Sequence, residues 1–350
     1  MPDHDYANPP TSTADQLESL KQYTKKLEDQ LAAVCSKRFG INRFTHDQDL
    51  IQFYTGFRTY DDFISTFNAL KPTAVNMVRW SQVQRHRSSN AENPQIKSDI
   101  FRDESIPLID QFFMFLCRIR QGFFEVDLAV RFDVSVSSVS RILVTWANYL
   151  YVMLGMLPIW QERAAINKVM PECFKSTYPN TRVILDCTEI RVQTPSSKTR
   201  NSEMYSHYKS HSTMKGLIGI TPDGMISFVS ALYTGSVSDK EITKQCGILD
   251  LLDVGDDVMA DKGFVIQDLL TPKGAKLIIP PFLREKGQFS RREVKETQEI
   301  ARLRIHIERA IRRCKEYHIF DSVIPLTLAG SINQVWTVCC LLTNFYGKLF

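Results

Sequence analysis

What the chain lacks narrows its identity first. It has no run of about 18 apolar residues, the length a membrane helix needs. Its most apolar stretches, Phe112 to Leu116 and Trp336 to Leu342, are far shorter, so no membrane partner is expected. The opening MPDHDYANPP is polar and carries acids, and does not read as a secretory signal. The eight cysteines, at 35, 117, 173, 187, 246, 314, 339 and 340, form no CxxC pair, which disfavours a structural zinc site. Several lie inside apolar periodic segments, where cysteine behaves as a small hydrophobe; a reducing compartment, cytosol or nucleus, fits best. There is no HExxH, so a zinc hydrolase is disfavoured, and no GxSxG, P-loop or GxGxxG. Neither sign of charge dominates: 43 Lys and Arg against 39 Asp and Glu give a net charge of +4, too little to announce a nucleic-acid partner by itself.

What is present is a chain of 350 residues with 43% hydrophobic and 23% charged residues, enough for one sizeable domain and something smaller. After a polar tail, Leu17, Leu20, Leu27, Leu31 and Val34 fall at alternating three- and four-residue steps, with Thr24 in one slot. This reads as about three heptads. Two readings of residues 1–44 stay open: a short coiled coil that joins a homodimer, and a helix packed on its own domain. Residues 45–72 look helical and aromatic, ending before Pro72, and 81–104 read as a polar loop.

A helical region spans 45–160, and within it 105–150 has a particular order. Leu108, Phe112, Phe115 and Leu116 stripe a first helix, EVDLAVRF (Glu125–Phe132) forms a short second one, and a third begins at Val136 after the turn Asp133-Val134-Ser135. That is the helix-turn-helix pattern. Ser135 suits the cap of the last helix, with Ser137, Ser138 and Arg141 near its exposed front as candidate contacts to double-stranded DNA. Helix pairs of this shape also occur in ordinary cores.

From 181 to 350 the texture becomes strand-rich. TRVILDCTEIRV is a β-branched run, KGLIGITPDG and MISFVSALY form a hairpin through the Thr221-Pro222-Asp223-Gly224 turn, and DDVMADKGF and AKLIIPPF are further strands. RREVKETQEIARLRIHIERAIRRCKEY is a long helix. The order implies a mixed α/β domain. Asp186 interrupts the strand Val183-Ile184-Leu185, and Asp261 ends the strand Val258-Met259-Ala260. A carboxylate in a buried strand is costly unless it is paired, hydrogen-bonded or metal-bound, and strand ends are where α/β sheets collect ligands. Glu308 lies one step off the apolar stripe Ile300, Leu303, Ile307, Ile311 and Cys314, with Arg304 and Arg312 four residues to either side. It is either a third site acid or half of a surface ion pair. Phosphodiester hydrolysis can use two hard cations about 4 Å apart on oxygen ligands, and Asp186, Asp261 and Glu308 could hold Mg²⁺ or Mn²⁺ ions in that way.

Around Glu308 the helix is basic, with Arg302, Arg304, Arg309, Arg312, Arg313 and Lys315, which suits a polyanionic substrate. A solvated, ion-paired helix face is the plainer reading. The segment from Tyr205 to Lys215 interleaves aromatics with Lys209 and Lys215, and reads either as the lining of a DNA channel or as a solvated hairpin. Glu189 falls on the opposite sheet face from Asp186 by alternation, and Asp239 reads as an ordinary helix cap.

Taken together, VILDCTEI, TPSSK, YKSHSTMKGLIGITPDG, SFVSALYTGSVSDK, VMADKGF, IPPF and RLRIHIERAIRRCKEY resemble the PIF/Harbinger-like DDE transposases over about 181–345. LAVRFDVSVSSVSRI resembles the helix-turn-helix that precedes their nuclease. The resemblance implies an RNase H-like mixed sheet flanked by helices and preceded by an all-α helix-turn-helix region. It implies cut-and-paste transposition with Mg²⁺ or Mn²⁺, two ions being expected, on Asp186, Asp261 and Glu308; the basic residues, read by themselves, add Lys209, Lys215, Arg304, Arg309 and Arg312 as expected DNA contacts. A nuclear protein follows. No Cys/His set for zinc precedes the helix-turn-helix, so an accessory DNA-binding protein is a further expected partner. The alternative is a domesticated, catalytically silent nuclear adaptor derived from a transposase.

Overall fold

The computed structural model describes residues 13–78, 106–206, 208–282 and 290–347; the polar segment expected at 81–104 and the first twelve residues lie outside these. Helix α1 (Thr13–Lys37) leaves Leu17, Leu20 and Leu27 largely exposed; the side chains of Leu31 and Val34 lie outside the described residues. Helices α2 (Gln48–Thr55) and α3 (Tyr60–Ala74) follow, each capped by an oxygen side chain, from Asp47 and Thr59. α3 does not stop before Pro72 but runs through it. A proline in the last turn removes one backbone bond. The buried Phe63, Phe67, Leu70 and Ala74 hold the turn in place, and the Val75 amide closes it on the Lys71 carbonyl.

The helix-turn-helix forms with the limits its sequence suggests: α4 (Leu108–Gln121), α5 (Glu125–Phe132) and α6 (Val136–Gly155). α4 ends at Gly122 in the left-handed region, where a Cβ would come within 2.9 Å of the His318 carbonyl oxygen. Asp133, also left-handed, ends α5, and the Ser135 hydroxyl accepts the Ser138 amide to start α6. Phe63 stacks on Phe112, which meets the Trp146 ring at a tilt, at the centre of this region.

Helices α7 (Arg163–Val169) and α8 (Glu172–Lys175) lead to a mixed sheet. Strand β1 (Thr181–Arg191) is followed by α9 (Lys198–Met204), β2 (Tyr205–Ser206), β3 (His211–Ile220), β4 (Ile226–Val229) and β5 (Tyr233–Thr234). Then come α10 (Asp239–Gln245), β6 (Asp257–Ala260), α11 (Gln267–Leu270), β7 (Lys276–Ile278), α12 (Arg291–Lys315) and α13 (Ile332–Leu342). The order across the sheet is β2-β3-β1-β6-β7, with β4 and β5 also on β3. β1 is antiparallel to β3 and parallel to β6. Arg163 and Arg182 both pair with the fully buried Asp256, fastening the approach to the sheet to the loop before β6.

Helices cover both faces of the curled sheet. On one face Ile184, Ile218, Ile220 and Met259 join Ile300, Leu303 and Ile307 of α12, together with α13 and the helical region, in one continuous core. Gly216 lets the Trp336 ring approach β3; a Cβ there would meet it at 2.9 Å. On the other face Val183, Leu185, Leu217 and Val258 pack with Ile242 of α10 and with Phe264 and Leu270.

Candidate active site

β1 and β6 run parallel, and the register that sets Leu185 beside Ala260 brings the next residue of each, Asp186 and Asp261, to one end of the sheet. The Cys187 amide donates to Asp186 Oδ1 at 2.9 Å. Burial pushes the Asp186 carboxyl up to about 6; Arg304 and the Cys187 amide pull it down, while Asp261 and Asp239 push it further up. Arg304 Nη1 donates to Asp261 Oδ1 at 2.9 Å, its side chain 11% exposed against 53% for Asp261. The guanidinium thus closes over the two acids from α12.

α12 starts in a capping box of Ser290 and Glu293, and buries Ile300, Leu303, Ile307, Ala310 and Cys314; Ile311 is only half-buried. Glu308 follows Arg304 by one turn. It is exposed, and it makes no hydrogen bond or ion pair among the described residues. Among those residues no group of three or more His, Cys, Asp or Glu side chains converges tightly enough to hold a metal ion. The structure brings Asp186 and Asp261 together and leaves Glu308 at the surface. The donor chemistry of the pair suits a hard divalent cation, and a half-buried carboxyl whose ionised form is disfavoured gains from added positive charge.

The other face of β1 carries a second polar cluster. Lys215 lies opposite Glu189 in the β1–β3 register. Its Nζ donates to the Val237 carbonyl at 3.1 Å and to Asp239 at 3.3 Å, and stands 3.9 Å from Glu189. Thr213 Oγ1 donates to Glu189 at 2.6 Å, and burial, reinforced by Asp239, raises the neighbouring Cys187 thiol far above its usual value. Ser238, not Asp239, caps α10, which frees Asp239 to face Lys215.

Two of the six basic residues expected to touch DNA are therefore committed inside the fold. Arg304 and Lys215 are held beside half-buried acids, Asp186 and Glu189, because an unpaired charge there costs more than a surface contact gains. Lys209, Arg309 and Arg312 remain exposed. At the front of α6, Ser137 is exposed and Ser138 half-buried, and the exposed Arg141 folds back onto the Ser137 carbonyl and the Ser138 hydroxyl. The Asp239–Lys215–Glu189 cluster escaped the sequence reading, because the antiparallel register that sets Glu189 opposite Lys215 joins strands separated by a helix and a further strand.

A helix-turn-helix joined to a mixed sheet with paired carboxylates at two strand ends outlines a DNA-processing protein. Residues 185–344 match the DDE superfamily endonuclease family, and residues 105–155 match the helix-turn-helix of DDE superfamily endonuclease. Both matches are to parts of the DDE superfamily endonucleases, and together they take in the helix-turn-helix and the strand ends at Asp186 and Asp261. No curated protein matches it.

Proposed function

We propose that the chain is a metal-dependent DNA endonuclease and strand transferase of PIF/Harbinger type, with an RNase H-like core. The observation that carries this reading is the adjacency of Asp186 and Asp261 at the ends of parallel strands, in a chain of DDE endonuclease family. Asp186 and Asp261, with Glu308 as third ligand, would hold Mg²⁺ or Mn²⁺, whose contribution when bound is to activate the attacking hydroxyl and steady the leaving oxygen. The chain's own groups prepare that site. Arg304 orients Asp261 through Oδ1, and the Cys187 amide orients Asp186. The packed helices around β1 exclude water from one side of Asp186. Arg309 and Arg312, exposed beside Glu308, take phosphates of the DNA, and Ser137, Ser138 and Arg141 meet the duplex once Arg141 turns outward.

Supercoiled plasmid with Mn²⁺ tests this. The wild type nicks it, while Asp186→Asn and EDTA each stop nicking; cleavage that resists EDTA would sink the reading. Because such enzymes often demand their own ends, a terminal-repeat duplex is included as substrate. A second reading, a catalytically silent nuclear DNA-binding adaptor, is favoured by one observation: Glu308 stands apart while Arg304 neutralises Asp261. Duplex binding that survives Asp261→Asn, with no cleavage under any metal, supports the adaptor. In either case we propose a nuclear protein that works beside an accessory DNA-binding protein and pairs with a second copy through the exposed Leu17, Leu20 and Leu27 of α1. Sedimentation of the Leu20→Glu variant checks the pairing, with a monomer expected.

A further inference from the structure

A cavity of about 220 Å³ opens between the end of β1, the start of β3 and the last turn of α12. Arg191, Lys209, His211 and Lys315 line it, together with two acids, Glu189 and Asp321. Both acids are already engaged. Glu189 accepts from Thr213 at 2.6 Å and faces Lys215, and Asp321 bonds His318 Nδ1 at 2.5 Å. The cations are not: Arg191, Lys209 and Lys315 have no carboxylate partner among the described residues. Lys315 counts among the exposed residues, yet crowding around its ammonium lowers its pKa, burial first and Lys209 next, with Glu189 and Asp186 acting the other way. Two amines held close enough to repel each other gain from an anion between them.

Next to Lys209, outside the cavity lining, stands a second feature. Tyr208 is 85% exposed, and Lys209 Nζ lies 4.7 Å from its ring centre. The turn that presents them is held in shape, with the Lys209 amide on the Ser206 hydroxyl, the Ser210 amide on the Ser206 carbonyl, and Ser210 in the left-handed region. An exposed aromatic face next to a basic cleft is the combination that binds unpaired nucleotides, where bases stack and phosphates meet cations. A double helix is too wide for a cavity of this volume, and its bases are already stacked.

We infer that this cavity is a subsite for one unpaired nucleotide of the DNA strand, its phosphate between Lys209 and Lys315 and its base on Tyr208. Glu189, which lines the cavity, lies three residues along β1 from Asp186, so the subsite is placed on the same strand as the first acid of the proposed cutting site. The inference rests on the DNA-cleaving reading for its placement, but the cavity's preference for unpaired strand stands apart from any cleavage.

The test is binding by the full-length wild type in EDTA, read as fluorescence anisotropy of a labelled single-stranded oligonucleotide and of the matched duplex across a salt series. Lys209→Gln with Lys315→Gln is expected to weaken single-strand binding about 10-fold and to flatten its salt dependence by roughly 0.7 for each phosphate no longer neutralised. Tyr208→Leu is expected to weaken it roughly 5-fold or more with the salt dependence intact. Duplex binding stays within about 2-fold of wild type in both, because the helix-turn-helix together with Arg309 and Arg312 carries it. Lys315→Arg keeps single-strand affinity, which separates removal of the charge from failure to fold. Equal losses on single strand and duplex, no loss on either, or tighter binding of an RNA oligonucleotide of the same sequence would each overturn the subsite. Absence of plasmid nicking with the strand preference intact would instead overturn only the nuclease reading.

Discussion

The two faces of β1 solve the same electrostatic problem in different ways. On the α10 face, Lys215 is shared by Asp239, Glu189 and the Val237 carbonyl, and Thr213 takes up another oxygen of Glu189. Its partners leave it little to offer a ligand. On the α12 face, Arg304 bonds only Asp261, its Nε has no partner among the described residues, and Asp186 is held up to about 6 by burial. One face is closed, while the other holds a carboxyl whose charge is incompletely compensated. Incomplete compensation is what a fold must tolerate to keep a site ready for a cation, and it is the ground on which we propose the α12 face as the place of chemistry.

The two faces should differ most in activity. Asp186→Asn and Asp261→Asn are each expected to lower plasmid nicking on the order of 1000-fold or more, since the charge stabilisation lost is several kcal/mol. Glu189→Gln, on the closed face, is expected to leave nicking within about 10-fold. A loss at Glu189 equal to that at Asp186 would show that both faces belong to one site.

Stability separates the faces in the opposite sense. Lys215→Met strands Glu189 and Asp239, 10% and 31% exposed, and is expected to cost about 2–3 kcal/mol, somewhat less than breaking a fully buried pair. Arg304→Met is expected to cost only about 1 kcal/mol, because the exposed Asp261 regains water. Urea unfolding of both variants in EDTA checks this, and equal costs would mean that the α12 face is as closed as the other.

Asp186 itself is expected to lower stability when ionised. Its folded pKa, about 6, lies above the ordinary 3.8, so the folded state binds the proton more tightly than the unfolded chain. The penalty is present above pH 6 and fades as pH falls toward 4. Asp186→Asn should therefore raise stability at pH 7.5 in EDTA by up to about 3 kcal/mol, with the gain gone near pH 4. A gain that does not shrink on acidification would point to packing rather than charge.

Much of this was legible in the sequence, and the illegible part has a common cause. The helix-turn-helix limits followed from local signals, Ser135 and the turn at Asp133, and the Asp186 and Asp261 strands from apolar runs ending in acid. Pro72 misled because buried Phe67 and Leu70 outweigh one missing backbone bond, a tertiary effect. The partners of Arg304 and Lys215 misled for the same reason. The i±4 spacing joins Arg304 to Glu308 on α12, but in the folded chain the guanidinium lies over the strand ends, where Asp261 and the half-buried Asp186 need it more. Which acid a base selects depends on which helix crosses which strand, and one-dimensional spacing does not carry that.

Glu308 is where the open face can be tested most finely. It is exposed and unpartnered among the described residues, so Glu308→Gln is expected to leave stability within about 0.5 kcal/mol. Surface acids that do nothing behave in this way too, and activity decides between them. If Glu308 completes the acid set, nicking falls steeply while folding is untouched, and Mn²⁺ binds more weakly in a titration followed by paramagnetic resonance. If nicking and Mn²⁺ affinity both match the wild type, the site is the Asp186–Asp261 pair with Arg304 as its fixed cation, and the third acid implied by the family resemblance has no role at this position.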